Sequence, residues 1–187
     1  MLNRRILRVK VLQSLYAYFQ SEGSDLVKAE KSLKMSIDRV YELYLHYLIL
    51  PIELANAAEV QMEESRNKAL PTEEDKNPNR KFVDSFLIQA ALQRKVTDYK
   101  VSWSADPDLV RKLWKKIKDS KLYQNFLEEE DSSSSHRKFV EKIYSDFILD
   151  NDDFYNHFQE RSIFWDFEDS DYCVNMAIRY VGKIKSV

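Results

Sequence analysis

The chain has 187 residues, 44% of them hydrophobic, with only 2 Gly and 4 Pro. That suits one domain, or one domain carrying a large insert, and it is too little punctuation for a turn-rich all-β fold, so an all-α protein is expected. A net charge of −2 excludes a globally basic nucleic-acid binder but leaves room for a local basic patch. The single Cys173 has no internal disulfide partner, which suits the reducing cytoplasm. No apolar run approaches the roughly 20 residues of a membrane span. The basic N-terminus lacks the apolar core and small-residue cleavage site of a signal peptide.

The first element is a helix over Met1–Gly23, reading MLNRRILRVKVLQSLYAYFQSEG. Arg4, Arg5, Arg8 and Lys10 crowd its start, with no acid before Glu22. Ile6, Val9, Tyr16 and Ala17 follow one side at helical spacing, and Leu12, Leu15 and Phe19 an adjoining one. The expectation is a cationic first half that meets an anion and an aromatic second half anchored in a core. Gly23 is a natural helix stop. Cations at a helix N-terminus oppose the macrodipole and cost a few tenths of a kcal/mol each. A polyanion would supply the compensating charge.

Ser24 caps the next helix, with apolar residues at helical spacing from Leu26 to Met62. Pro51 is expected to kink or break it. Unbroken to Ala69 it would span roughly 65–70 Å, so part of it is expected to project from the core. Tyr41, Tyr44 and Tyr47 read as a packing stripe rather than a platform for bases. Pro71–Asn79 is a polar loop, and Asn77–Pro78 opens a helix running to about Lys100 with Phe82, Phe86, Ile88, Leu92 and Val96 inside. Asp106 caps and Pro107 starts a helix with Leu109, Leu113, Trp114 and Ile117, ending near Ser120. Glu128–Ser135 (EEEDSSSS) is the best linker candidate. Three further helices follow, carrying Phe139 to Ile148, Phe154 to Trp165, and Tyr172 to Val181.

Motifs for catalysis are missing: no glycine-rich phosphate loop, nucleophile elbow or HExxH occurs. His46, His136 and His157 lack ligand spacing, Cys173 lies on an apolar pattern, and paired acids such as Asp152/Asp153 fall at helix starts. No catalytic residue, metal ligand or cofactor site is assigned. From Asp146 to Asp171 nine acids, among them Asp150 and Glu160, face one Arg161. They either recruit a basic protein or are solvated helix ends. The N-terminal cluster has more to offer. Arg8 and Lys10 can meet phosphates, Arg4 and Arg5 can fork onto phosphates or stack on bases, Tyr16 can stack on an unpaired base, and Gln13 can bond a base edge.

The run NRRILRVKVLQSLYAY, with Arg4, Arg5, Arg8, Leu12, Gln13, Leu15 and Tyr16 in register, resembles the first helix of the NusB transcription antitermination family. The stretch from Lys138 to Ile184 looks like that family's middle helices, with their aromatic Trp–Asp region. The resemblance covers residues 1–23 and 136–187 as a NusB-like helical core. Residues 24–135 then read as the inserted helical subdomain of long, Bacteroidetes-type members. It implies a non-catalytic factor binding boxA-type single-stranded leader RNA. Its partners would be the small-subunit ribosomal protein that acts as NusE and the transcription elongation complex. RNA contacts are implied at Arg4, Arg5, Arg8 and Tyr16. The NusE-facing surface is expected within Phe139–Asp171, through Asp146, Asp150, Asp152, Asp153 and Glu160, whose acidity suits a basic protein. Two departures stand out: Ile6 replaces a residue often basic in the family, and the family's last two helices have no counterpart before Val187, so the chain reads as part of a longer one. A helical scaffold or homodimer without RNA binding is the alternative reading.

Overall fold

A computed structural model describes residues 2–21, 25–85, 101–149 and 151–184. Eight α-helices and no strand are found among them. The expected cap signals at Gly23 and Ser24, the helix interior at Phe86, Ile88, Leu92 and Val96, and the acid Asp150 lie outside the described residues.

Helix α1 is Arg4–Gln20, and α2 is Leu26–Arg66. A single turn, α3, covers Glu73–Lys76 inside the expected polar loop, held by a capping box between Thr72 and Asp75. Pro78 does not start a helix: residues 81–84 form turns that bury Phe82 and Val83. Helix α4 is Pro107–Lys118, and α5 is Lys121–Glu128, capped by Ser120 at the expected break. The serine run is no linker. Ser132 and Ser135 form a capping box that starts α6, Ser133–Ile143. The chain continues from α6 as a π-helical turn over Tyr144–Ile148. Helices α7, Asp152–Arg161, and α8, Phe167–Val181, complete the order.

Helix α2 is the axis of the packing and touches α1, α4 and α8. At 41 residues it is about 60 Å long. Its first ten residues are largely exposed, whereas Val40, Leu43, Leu45, Leu48, Leu50 and Leu54 are fully buried. Each such side chain contributes about 1.5–3 kcal/mol of transfer free energy. One cluster joins these to Phe139, Ile143, Cys173 and Val174. Helix α2, assigned to an insert by the resemblance, shares one core with α6 and α8.

Pro51 does not break α2, and the reason is a substituted hydrogen bond. The amide of residue 51 would donate to the carbonyl of Tyr47, but proline has no amide hydrogen. The Tyr144 hydroxyl donates to that carbonyl instead, at 2.7 Å. The preceding carbonyl, His46 O, accepts from Trp103 Nε1 at 3.0 Å. Burial pushes the Tyr144 phenol well above its ordinary value, so it remains a donor.

Tyr144→Phe is expected to cost about 1–3 kcal/mol in chemical denaturation, because Tyr47 O is left unpaired. In a Pro51→Ala background, where a backbone donor returns, the same substitution should cost less. An equal cost in both backgrounds, read from a double-mutant cycle, counts against the substituted bond.

Candidate nucleic-acid interface

Asn3 starts α1: its Oδ1 accepts from Ile6 N at 2.9 Å, and its own amide donates to Tyr172 Oη at 3.1 Å. This cap satisfies one orphan amide, but Arg4 and Arg5 still stand in the first turn with no acid there. Helical spacing then divides the side chains. Ile6 and Lys10 turn inward, and both are buried. Arg4, Arg5, Arg8, Leu12, Leu15, Tyr16 and Phe19 turn outward, and all are exposed.

Lys10 leaves the candidate set. Its ammonium is only 1% exposed and pairs with the buried Asp169 carboxylate. It also donates to Phe164 O at 2.8 Å and lies 3.6 Å from Asp166 Oδ2. A cation so enclosed has no access to a phosphate; it fastens α1 to the start of α8. Gln13 is exposed yet engaged, its Nε2 donating to Asp166 Oδ2 at 3.0 Å. Arg5 reaches Glu168 only at 3.4 Å, with both side chains mostly in solvent, a geometry that contributes little.

The expected aromatic anchor is reversed. Leu12 is 68% exposed, Tyr16 66% and Phe19 77%, so the second half of α1 enters no core among the described residues. The stripe lies on the side of the helix opposite Ile6 and Lys10, and those two residues face α2 and α8. A helix with apolar residues nearly all round leaves its docked side undetermined by spacing. The pairing of Lys10 with Asp169 decides it.

Burial alone would raise the Asp166 carboxyl, but the Asp169 amide, Gln13 and Lys10 outweigh it and hold the group below the usual carboxylate range. Asp169 lies the other way: its burial outweighs Lys10 and pushes it up. The late acidic stretch is thus partly the internal counterpart of the basic helix, since Asp166, Glu168 and Asp169 all face α1.

Of the residues expected to meet a protein partner, Asp146, Asp152, Asp153 and Glu160 are exposed. Asp153 already holds Lys112 at 2.9 Å and Lys116 at 3.7 Å, and the Lys112 hydrogen bond keeps its carboxyl low. Asp146 lies 3.9 Å from Lys142. The set therefore divides, with Asp152 and Glu160 the acids least engaged.

Asp106 does not cap α4 with its side chain. Its carboxylate pairs with Arg161 of α7 and faces His157 Nε2 at 3.6 Å. Trp103, which no spacing singles out, stacks on His157 and meets His46 and Phe158 edge-on. His46 is buried, its Nδ1 donating to Glu42 O at 3.0 Å, and burial lowers its basicity. Cys173 is a packed thiol whose Sγ lies 3.5 Å from Val40 O, and burial pushes it far up. Tyr47 is buried and Tyr41 and Tyr44 half-buried, as a packing stripe requires. Among the described residues no cluster of three or more His, Cys, Asp or Glu could hold a metal ion, and no helix is long and apolar enough to cross a membrane.

Lys10→Met is expected to lower stability by about 3–5 kcal/mol, because Asp169 remains buried without its cation. Adding Asp169→Asn should recover part of that loss in thermal or urea unfolding. A single variant as stable as the parent chain would show that the pair does not hold α1.

Neither protein-family models, nor curated proteins, nor solved structures match this chain.

Proposed function

We propose that the chain is a non-catalytic, cytoplasmic RNA-binding transcription antitermination factor of NusB type. In this reading α1 meets boxA-type single-stranded leader RNA. It does so beside the small-subunit ribosomal protein that acts as NusE, within the transcription elongation complex, to prevent premature termination. The observation that carries the reading is the joint exposure of Arg4, Arg5, Arg8 and Tyr16 along α1. From Arg5 to Tyr16 this surface runs about 16 Å. The arginines offer planar, always-charged forks for phosphates, and Tyr16 offers a face for an unpaired base. Gln13, bonded to Asp166, would have to exchange that contact for a base edge. Asp152 and Glu160 supply exposed negative charge for a basic protein partner.

A protein-interaction scaffold without RNA binding is the second reading. The exposed apolar residues Leu12, Leu15 and Phe19 on the same helix favour it, since they offer nothing to phosphate.

Binding to a boxA-like oligonucleotide is expected to weaken with salt, with a log–log slope of about −2 for three phosphate contacts. Arg4→Ala/Arg5→Ala/Arg8→Ala should abolish it, and Tyr16→Ala should cost about 1–3 kcal/mol. Gel shifts across a salt series read both effects. Equal affinity in the triple variant would exclude α1 as the RNA surface.

A further inference from the structure

We infer that the cavity between the turn at Lys81 and the start of α6 is a binding site for a small phosphate monoester, held by Lys81, Arg137, Ser85 and the first amide of α6. No residue of α1 takes part, and RNA binding is not assumed. The site follows from how the chain is anchored beside it. Phe82 stacks on Trp114 and meets Phe139 edge-on, so the turn that carries it is pinned to the core. Lys81 and Ser85, on either side of that anchor, line a cavity of about 670 Å³, and Ser133 and Arg137 at the start of α6 line it too. Ile184, just past the end of α8, closes part of the wall. From Asp169, where α1 is fastened, to Val181 that helix runs about 18 Å, so the cavity lies well away from the arginines of α1.

Two of these residues are half-buried cations without an anion. Lys81 Nζ donates to Phe126 O and, at 2.7 Å, to Glu129 O. Arg137 donates through Nε to Ser133 O at 3.2 Å and through Nη1 to Ile184 O at 2.9 Å. These carbonyls close the end of α5 and satisfy hydrogens, but they leave both charges uncompensated, and neither cation forms an ion pair among the described residues. An ammonium has three N–H donors and a guanidinium five, so Lys81 keeps one for a ligand and Arg137 keeps its Nη2. The acids of the cavity are otherwise engaged or in water. Asp84 pairs with Arg80 at 3.1 Å and Asp131 bonds His136 at 2.6 Å. Both, like Glu129, are exposed, where solvent and salt screen their repulsion.

Two neutral donors complete the set. Ser85 is 3% exposed, and its hydroxyl has no partner among the described residues. A buried hydroxyl left so is costly unless a ligand supplies the missing bond. The amide of Ser133 opens α6 and has no acceptor among the described residues, because the Ser132 hydroxyl takes the amide of Ser135 instead. The macrodipole of α6 adds partial positive charge at the same point. Two uncompensated cations, a helix start and an orphaned hydroxyl match a dianion with several acceptor oxygens. A phosphate monoester has a charge of about −1.5 to −2 at pH 7 and three such oxygens. A carboxylate has one charge and two oxygens and would leave one cation unmatched. An amine or a metal ion has the wrong sign. The cavity has the volume of a small-molecule site, so the rest of a small ester fits beside its phosphate.

Nuclear magnetic resonance titration of the isotope-labelled full chain, in about 0.15 M chloride and without RNA, tests the proposal. Inorganic phosphate at millimolar concentration should shift the Ser133 amide resonance. Among ribose 5-phosphate, glycerol 3-phosphate and adenosine 5′-monophosphate, at least one should bind about tenfold tighter than phosphate, and its dephosphorylated counterpart should not bind. Lys81→Gln and Arg137→Gln should each weaken phosphate binding by at least about tenfold. Ser133→Asp separates lost binding from lost folding. It sets a carboxylate at the first position of α6, which suits the helix, so the melting temperature should hold or rise while phosphate binding disappears. Arg4→Ala/Arg5→Ala/Arg8→Ala should bind phosphate within about twofold of the parent chain, because α1 is not involved. No shift at about 20 mM phosphate, shifts confined to α1, undiminished binding in Ser133→Asp, loss of binding in the α1 variant, or esters all no tighter than phosphate would each overturn the inference. None of these arms contains RNA, so failure here leaves the gel-shift result standing, and the reverse holds equally.

Discussion

A single backbone carbonyl, that of Tyr47, governs how this molecule can be built. Pro51 deprives it of the donor that a continuous helix would supply, yet α2 runs through without interruption. The missing donor comes from Tyr144, nearly a hundred residues away, held at the junction of α6 and its π-helical turn. The proline thus makes the central helix dependent on a distant one. The same dependence recurs along α2. Trp165 Nε1 donates to Arg39 O at 2.7 Å, Cys173 approaches Val40 O, and Trp103 Nε1 reaches His46 O. Indole, phenol and thiol groups from the π-helical turn, the segment before α8, α8 itself and the segment before α4 thus meet one row of carbonyls. A buried polar atom without a partner costs about 1–3 kcal/mol, so these bonds specify how the helices dock more than they add net stability.

The N-terminal helix is held by a different device. Lys10 and Asp169 are both 1% exposed, and burying two charges is favourable only when each is fully paired. Here the ammonium has Asp169, Phe164 O and the nearby Asp166, while Asp169 also takes part in the capping box that starts α8. One side of α1 is fixed in this way, and the other is left to solvent with three arginines and an apolar stripe. The two halves of the expected role for α1 therefore exchange places. Charge anchors the helix, and the aromatic residues face outward.

Much of the element order was legible in the sequence, because local rules control it. The all-α class followed from the scarcity of Gly and Pro, and the boundary at Ser120 and the start at Pro107 followed from caps and proline geometry. What escaped was decided by contacts far apart in sequence. Pro51 reads as a break unless Tyr144 is known to lie against it. The serines 132–135 read as a linker by composition, although Ser132 and Ser135 carry the spacing of a capping box. Asp106 reads as a cap because its rivals for the carboxylate, Arg161 and His157, stand over fifty residues on. Of the candidate site, Arg4, Arg5, Arg8 and Tyr16 lie on the surface. Lys10 looks like its neighbours in a basic run until Asp169, the one buried acid among the described residues, is found beside it.

The partnership of Lys10 with Asp169 has a consequence for how the protein comes off the ribosome. Asn3 also bonds Tyr172, so both anchors of α1 lie more than 150 residues downstream. At 5–20 residues per second, roughly 8–30 s pass between synthesis of α1 and of its docking site. The first helix to be made thus waits for its polar anchors until α8 is made. During that interval Lys10 has no acid partner, and of the elements that pack on α1 only α2 has been made to cover its inward face.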